Sequence, residues 1–371
     1  MGTKRQEPDF GRLRTALMGG TPDRVPLWDR ATDVFKSNYL GKRVSGILGE
    51  IEFGLAAGYD FVRIEPPVNF TGGIEPKEGR RIGHDPDGPA REWATEGQGI
   101  ITTWADFERH PWPKPEDVDY SAFELANKHL PEGMKIVAAR GHVFTEVWEL
   151  MGFNTFAMAL TDNPDLVRAI FDKVGETVCK IINDMLEIPN VGALRFNDDL
   201  GYKKGLLVSP EVYRRYQFPW MRKAVEICRR KNVPFIFHCD GNFLKVLDDL
   251  LDLGINGLHP LDPTGVDIRE VRRKVGNRVC LLGNICQTYP LGLGTPEEVR
   301  LDALRLLRDI APSGAYCMGS GHSIQDYVPL ANFNAMVDTV FEYGYYPIDV
   351  PERVIREAEA AVERQRAGRK A

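Results

Sequence analysis

The sequence predicts an α/β protein in which eight parallel strands alternate with helices and close into a (β/α)8 barrel. Eight short segments look like strands, and helical sequence lies between them. Most of these segments are unbroken apolar runs, which is typical of parallel strands buried on both faces. Polar side chains concentrate where the runs end, and active sites of such barrels lie at the carboxyl ends of the strands.

The predicted strands, in chain order, are Val25–Asp29, Phe61–Glu65, Lys135–Gly141, Val191–Asp199, Phe235–Asn242 (ending in a turn), Ile255–Leu261, Val279–Ile285 and Ala315–His322. Helical sequence is expected at 44–58, ending at the C-cap Gly58, and at 143–187. Another helix begins at Ser209-Pro210, an N-cap followed by proline, and a last one covers 331–367.

We expect a single domain over residues 1–371. A barrel of this kind usually has about 250 residues, and an insertion and terminal extensions can account for the remaining residues. Residues 69–113 are rich in Gly, Pro and charge and contain the alternating run Gly99–Trp104, which predicts a β-hairpin insertion after the second strand. The terminal extensions are predicted to be helical. A doubly wound sheet is the alternative, but no Gly-rich phosphate loop follows the first strand.

Composition excludes several classes of protein. Hydrophobic residues make up 43% of the chain and the net charge is −6, with basic and acidic residues interspersed, so no nucleic-acid-binding surface is expected. No segment approaches the roughly 20 apolar residues of a membrane helix. The start, MGTKRQEPDF, has no apolar core of a secretory signal. Six cysteines without a CxxC pair predict reduced thiols and a cytoplasmic location.

The strand end at His238-Cys239-Asp240 carries the clearest chemical signal. Alternate residues of a strand share a face, so His238 and Asp240 point together while Cys239 points away. An imidazole beside a carboxylate can bind a metal or move protons. Cys280 and Cys317 are expected in the core, whereas Cys286 is a weaker ligand candidate.

Other polar residues follow the remaining strands, and four of the seven histidines fall at such positions. Candidate substrate-binding residues are Trp28, Arg63, Glu65, His142, Glu146, Asn242 and Asn284. In the pair Asp198-Asp199, one carboxylate is expected to be catalytic and the other to cap a helix. His259, which precedes Pro260, is interpreted as structural, and Glu146 is open to interpretation as a surface cap.

Motifs along the chain resemble those of the uroporphyrinogen decarboxylase superfamily, which includes methyltransferases that work with corrinoid proteins. The matching segments are Asp23–Pro26, Asn197–Gly201, Ser209–Glu211, Phe218–Trp220, Leu282–Asn284, Gly294–Val299, Gly319–Ile324 and Val328–Phe333. They span almost the whole chain in the family's order, and the resemblance implies the same barrel.

The resemblance implies different activities for the two branches. The decarboxylases carry Arg-Gln-Ala-Gly-Arg after the first strand, which resembles a clamp for substrate carboxylates. Here Trp28–Thr32 stands in that region and the paired arginines are absent. A porphyrinogen with eight carboxylates would lack its anchor, which disfavours decarboxylation of uroporphyrinogen.

The methyltransferases bind zinc through a His-x-Cys motif and a late Cys, and the matching positions here are His238, Asp240 and His322. This nitrogen and oxygen set suits zinc acting as a Lewis acid on an ether or alcohol oxygen. The resemblance therefore implies an O-demethylating methyltransferase with Asp198, Asp199, His238 and His322 as catalytic residues. The chain has no Asp-x-His-x-x-Gly corrinoid motif, so the corrinoid would be carried by a partner protein.

Two other functions stay open. The first is a decarboxylase or other lyase that acts on a small carboxylated substrate without a metal, with His322 as general acid and Asp199 stabilising positive charge. The second is a non-catalytic binding or chaperone subunit, against which the many acids and histidines at one end of the barrel argue. The methyl donor and the oligomeric state are not predicted.

Overall fold

A computed structural model describes residues 7–74 and 97–368 of the chain. Its main feature is a sheet of seven strands, all parallel, in the spatial order β1-β2-β3-β6-β7-β8-β9. These strands are β1 (Phe61–Ile64), β2 (Lys135–Ala139), β3 (Val191–Asn197), β6 (Phe235–His238), β7 (Gly257–His259), β8 (Cys280–Leu282) and β9 (Tyr316–Cys317). A small antiparallel pair, β4 (Gly201–Tyr202) and β5 (Gly205–Leu206), lies beyond the end of β3. The α/β class and the parallel sheet confirm the prediction.

Helices precede, connect and follow the strands. They are α1 (Phe10–Leu17), α2 (Asp33–Leu40), α3 (Gly46–Ala57), α4 (Trp104–Arg109), α5 (Ser121–His129), α6 (Val143–Met151), α7 (Phe153–Asp162), α8 (Pro164–Met185), α9 (Pro210–Val212), α10 (Phe218–Arg230), α11 (Leu247–Leu253), α12 (Ile268–Val275), α13 (Pro296–Asp309), α14 (Leu330–Tyr343) and α15 (Glu352–Gly368). A π-helical turn, Tyr213–Gln217, joins α9 to α10. None of the helices in the described ranges is both long and apolar enough to cross a membrane.

The predicted helix at 143–187 is divided into three. Gly152 separates α6 from α7 at a φ of 76°, which favours glycine. Asn163 caps α8, and Pro164 at its first position removes an amide hydrogen that α7 would need in order to continue.

The first predicted strand, Val25–Asp29, forms an extended segment beside β9. Leu27 makes a single parallel bridge with Met318, and the Trp28 amide donates to the Met318 carbonyl at 2.8 Å. The Trp28 ring also stacks on Phe61 of β1, with ring centroids 4.6 Å apart. The segment therefore lies between the two outer strands of the sheet. Closure into an eight-stranded barrel stays a prediction.

The predicted β-hairpin at 69–113 is not found in the part of it that the structure describes. The amides of Gly99, Ile100 and Ile101 donate to carbonyls of Leu150 and Met151, and a helix begins at Trp104. The prediction of a strand at Gly99–Trp104 is therefore wrong. Thr103 and Asp106 form a capping box that starts α4, a helix signal stronger than the alternating pattern. Residues 75–96 of the expected hairpin lie outside the described residues.

The interior of the sheet is filled at its amino-terminal end by α1. Phe10, Leu13 and Leu17 of this helix belong to one buried cluster with inward-facing strand residues such as Ile236 and Cys280. Helices pack on the outer face, where Phe235 and Phe237 join the larger core cluster. Apolar packing at one end of the sheet leaves inward-facing polar residues together at the other end.

Gly319 permits the close contact between the first segment and the end of β9. A Cβ at this position would lie 1.9 Å from the Trp28 carbonyl oxygen. We expect Gly319→Ala to lower the free energy of unfolding by about 1–3 kcal/mol, because backbone atoms must move to accept it. The measurement is the denaturant midpoint.

The matched control is Gly54→Ala within α3, where a Cβ would meet its neighbours at 3.5 Å or more. This control should be neutral or stabilising by up to about 1 kcal/mol. Equal midpoints for Gly319→Ala and the wild type would show that the contact with Trp28 is not tight.

Candidate active site

A cavity of about 260 Å³ lies at the carboxyl ends of the strands. Its lining is unusually rich in ionisable groups, since fifteen residues surround it and eleven carry a carboxylate, an imidazole or a guanidinium group. They are Trp28, Asp29, Arg30, Phe61, Arg63, Glu65, His142, Arg195, Asn197, Asp199, His238, Asp240, His259, His322 and Ser323. The concentration of polar residues predicted at this end of the sheet is present in the structure.

Three residues form a compact acid and imidazole group, which we name the Asp-His-Asp group: Asp199, His238 and Asp240. One potential ligand atom from each lies within 4.8 Å of those of the other two. His238 ends β6, and the parallel register places it between Asn197 of β3 and His259 of β7. Strand alternation thus brings the group to the cavity.

The His238 ring is held by a second imidazole. Its Nδ1 lies 2.7 Å from Nδ1 of His259, so one ring donates a hydrogen bond and the other accepts it. Burial, followed by the charges of nearby arginines, holds the pKa of both rings well below the usual value for histidine. The contact leaves Nε2 of His238 directed at Asp240, with 3.9 Å between this nitrogen and Oδ1. His259, interpreted as structural from the sequence, therefore orients His238 and lines the cavity.

The two carboxylates of the Asp-His-Asp group are only partly satisfied. Asp199 accepts a hydrogen bond from the Asp240 amide at 2.8 Å, whereas Oδ1 of Asp240 is buried and has no hydrogen-bond partner among the described residues. Burial and then the charge of Asp240 raise the pKa of Asp199 to about 7. A divalent cation would satisfy the free oxygen and offset the repulsion, and two carboxylates with one neutral imidazole are a reasonable ligand set for zinc. The residues present therefore fit a metal ion.

His322 reaches the same place from the other side. Its Nε2 lies 3.4 Å from Oδ2 of Asp240, and this hydrogen bond raises the pKa of the imidazole. The predicted metal set of His238, Asp240 and His322 is brought together at the cavity. The atoms that converge most closely are nevertheless those of Asp199, His238 and Asp240.

Another part of the cavity lining consists of Glu65, His142 and Asn197. The Asn197 amide nitrogen lies 3.4 Å from Oε2 of Glu65 and 3.3 Å from Nε2 of His142. Burial lowers the pKa of His142 to about 4, so this ring is neutral near pH 7. These three residues form a hydrogen-bonded wall beside the stacked rings of Trp28 and Phe61.

Asp198 does not line the cavity. Its oxygens accept hydrogen bonds from the Phe144 amide at 2.8 Å, the Thr145 amide at 3.0 Å and the Thr145 hydroxyl at 2.9 Å. Asp198 therefore satisfies the free amides at the start of α6, which is the capping role expected for one member of the pair. A catalytic role for Asp198 does not fit this placement, whereas Asp199 lies in the cavity.

Three further candidates for substrate binding also lie outside the cavity. Glu146 accepts a hydrogen bond from buried Arg140 at 3.1 Å. The side chains of Asn242 and Asn284 bond to backbone groups, the Leu244 amide and the Leu261 carbonyl respectively. A position near a strand end did not reveal that these side chains bond to other protein groups instead of facing the cavity.

Three of the four cysteines discussed in the sequence analysis are buried, as predicted. Cys239 is buried away from the cavity, and its sulfur accepts a hydrogen bond from the Leu200 amide at 3.3 Å. Cys280 and Cys317 are fully buried, as expected. Cys286 lines a separate cavity near α12 and α13 and does not contact the Asp-His-Asp group.

Two important lining residues were missing from the candidates. Arg195 stands two residues before Asn197 in β3, so alternation alone could have placed it on the inner face. Asp29 accepts hydrogen bonds from the Ser320 amide at 3.2 Å and from the Ser320 hydroxyl, and burial raises its pKa to about 8. Its partner follows β9, far along the chain, and no local pattern indicates that contact.

Comparison with known proteins identifies the family. Residues 97–343 match the family model described as uroporphyrinogen decarboxylase (URO-D). The chain belongs to the uroporphyrinogen decarboxylase family. Its members named uroporphyrinogen decarboxylase include one from Pseudomonas syringae pv. tomato, 28% identical over 255 residues, which cover 65% of this chain and 69% of that protein. One from Neisseria meningitidis serogroup C is 30% identical over 251 residues, 64% of this chain and 68% of the relative.

A solved structure extends the likeness of fold to nearly the whole chain. The structure of a methyltransferase from Methanosarcina mazei superposes with a TM-score of 0.67, covering 91% of this chain and 99% of the other, at 19% identity. This uroporphyrinogen decarboxylase family member therefore shares its fold with that protein. The Asp-His-Asp group and His322 fall within the range that matches the family model, whereas Trp28, Arg63 and Glu65 precede it.

The metal hypothesis predicts distinct results for neighbouring residues of β6 and its end. His238→Ala and Asp240→Asn should lose bound zinc while keeping the thermal midpoint, because these side chains stand at a strand end and add little to the core. Cys239→Ser is the matched control, since its sulfur points away from the cavity. Elemental analysis of protein purified from zinc-supplemented medium measures the difference. A zinc-free Cys239→Ser together with a zinc-loaded Asp240→Asn would show that the ligand assignment is wrong.

Proposed function

We propose that this protein is a metal-dependent methyltransferase that removes a methyl group from a small methoxylated or methylated substrate. The acceptor would be the Co(I) of a corrinoid carried by a partner protein. The observation that carries the proposal is the Asp-His-Asp group, in which a buried oxygen of Asp240 has no hydrogen-bond partner in the described part of the chain. The fold shared with a methyltransferase is compatible with it.

Asp199, His238 and Asp240 would hold the metal ion. A zinc ion bound there would act as a Lewis acid on the oxygen of the methyl donor, which makes an alkoxide or phenoxide a better leaving group. His259 contributes by fixing the ring of His238 through the 2.7 Å contact between the two Nδ1 atoms. The set of His238, Asp240 and His322 that the sequence motif implies is the alternative for the ligands.

The remaining polar groups would position the substrate and supply a proton. His322 is partly exposed at the cavity, and its hydrogen bond to Asp240 favours the protonated ring. It could give this proton to the leaving oxygen while Trp28 and Phe61 provide an apolar wall. The bond between the methyl carbon and the donor oxygen would break, the oxygen would keep the electron pair and take the proton of His322, and the partner's corrinoid would supply the electron pair for the new bond to the methyl group.

A lyase that acts on a small carboxylated substrate is the second candidate. The relatives named uroporphyrinogen decarboxylase favour decarboxylation, and two arginines, Arg63 and Arg195, line the cavity. Uroporphyrinogen itself is a poor fit, because the paired arginines that the decarboxylases carry after the first strand are absent from Trp28–Thr32.

The assay for the proposed function combines zinc-loaded protein, free cob(I)alamin and a panel of methoxybenzenes and simple methyl donors. The expected result is a change in cobalt absorbance as the methyl group is transferred, with a demethylated alcohol or phenol as the second product. His238→Ala should be inactive, and Glu211→Ala, on the surface, should be unaffected. Release of carbon dioxide from a carboxylated substrate, with no methylated cobalamin, would favour the lyase.

Variants of His322 and Asp199 distinguish between the two possible sets of metal ligands. We expect His322→Ala to keep zinc and to lose about 10²-fold or more in turnover, the usual contribution of a general acid. Asp199→Asn should lose zinc and turnover together. Zinc loss in His322→Ala, with zinc retained in Asp199→Asn, would assign the metal to His238, Asp240 and His322.

A further inference from the structure

Two arginine side chains enter the cavity from strands that are not neighbours. Arg63 belongs to β1 and Arg195 to β3, with β2 between them. Both side chains line the cavity, and Arg195 has a relative exposure of 6%. Two guanidinium groups thus face the same small space from one side.

Neither guanidinium group has a hydrogen-bond or ion-pair partner within the described ranges of the chain, and Nε of Arg195 is buried without one. Other buried arginines of this protein are partnered. Arg12 pairs with Asp23 at 2.6 Å, and Arg140 pairs with Glu146 at 3.1 Å. A buried arginine is seldom left unpaired, because removing its charge from water is costly. A ligand that supplies the missing negative charge would remove this cost.

The neighbouring acid does not neutralise the pair. Glu65 is the acidic residue that acts on both arginines, but its oxygens already face Asn197 and His142. Burial and then the charge of Arg30 lower the pKa of Arg63 to about 10, so its guanidinium remains charged near pH 7. This side of the cavity therefore carries excess positive charge.

We propose that Arg63 and Arg195 bind a carboxylate group of the substrate, so that the substrate is a small monocarboxylic acid. The planar guanidinium group matches a carboxylate in shape and in hydrogen-bonding pattern. The carboxylates of Glu65 and Asp240 line the same cavity and oppose a doubly charged anion such as phosphate. The stacked rings of Trp28 and Phe61 offer a flat surface to the rest of the molecule. That this acid is also the methyl donor rests on the proposed function.

Calorimetry with benzoate as the probe tests the carboxylate site without a metal or a corrinoid. We expect benzoate to bind the wild-type protein, and benzyl alcohol and phosphate to bind at least about tenfold more weakly. Arg63→Gln and Arg195→Gln should each weaken benzoate binding by at least about tenfold. Arg214→Gln is the control, because Arg214 is exposed and pairs with Asp249 on the surface.

Thermal melting separates binding from a structural role. Without a ligand, Arg195→Gln should melt at or above the wild-type temperature, because an unpaired buried charge is removed. Benzoate should raise the melting temperature of the wild type and of Arg214→Gln, and should leave Arg63→Gln and Arg195→Gln unchanged. A large fall in the melting temperature of unliganded Arg195→Gln would assign the arginine a structural role and overturn the proposal.

The outcomes also separate this proposal from the methyltransferase function. Benzyl alcohol or phosphate binding as tightly as benzoate would overturn the carboxylate site. Demethylation of neutral methoxybenzene as fast as of methoxybenzoate, with no benzoate binding, would overturn the site and leave the function standing. Benzoate binding that depends on both arginines, without any methyl transfer to cobalamin, would support the site and count against the function.

Discussion

The alternation of side chains along parallel strands is the constraint on which the rest of the structure depends. Inward positions of the sheet are filled by apolar residues and by α1 at the amino-terminal end, so the polar residues that share the same faces meet at the other end. Ile236 and His238 of β6 show this within one strand, since the first is in the interior cluster and the second is in the cavity. The register with β3 and β7 then places His238 beside Asn197 and His259. Sheet pairing thus positions the cavity residues that lie on strands, and residues beyond the strand ends, such as Asp199, Asp240 and His322, complete the lining.

The cavity contains charged groups that contacts among its own residues do not neutralise. Asp199 and Asp240 repel each other, and an oxygen of Asp240 has no partner among the described residues. The side chains of Arg63 and Arg195 face the same cavity and make no ion pair with any described carboxylate. Buried groups of this kind lower stability unless something satisfies them, and perturbed groups in a cleft are typical of functional sites. The unsatisfied groups are of both signs, which suits a bound cation together with a bound anion.

Much of this arrangement could be predicted from the sequence because strand alternation is a local property. It predicted the inward direction of His238 and Asp240 and the outward direction of Cys239. It failed where the outcome depends on distant contacts or on a competing local signal. Asp198 is turned to the start of α6 by amides that lie over fifty residues earlier, and Ser320 reaches Asp29 from the far end of the chain. The capping box of Thr103 and Asp106 overrode the alternating pattern at Gly99–Trp104.

The unsatisfied groups of opposite sign in the cavity affect each other through their charges. Arg195 is close enough to interact electrostatically with both Asp199 and Asp240, so its positive charge opposes a metal cation at the Asp-His-Asp group. A carboxylate bound to Arg63 and Arg195 would offset that charge and favour the cation, and a bound cation would in turn favour the carboxylate, because such coupling is reciprocal. Substrate and metal would then stabilise each other in the cavity. The buried charges that destabilise the free protein would then make the cavity selective for an acid that binds next to the metal ion.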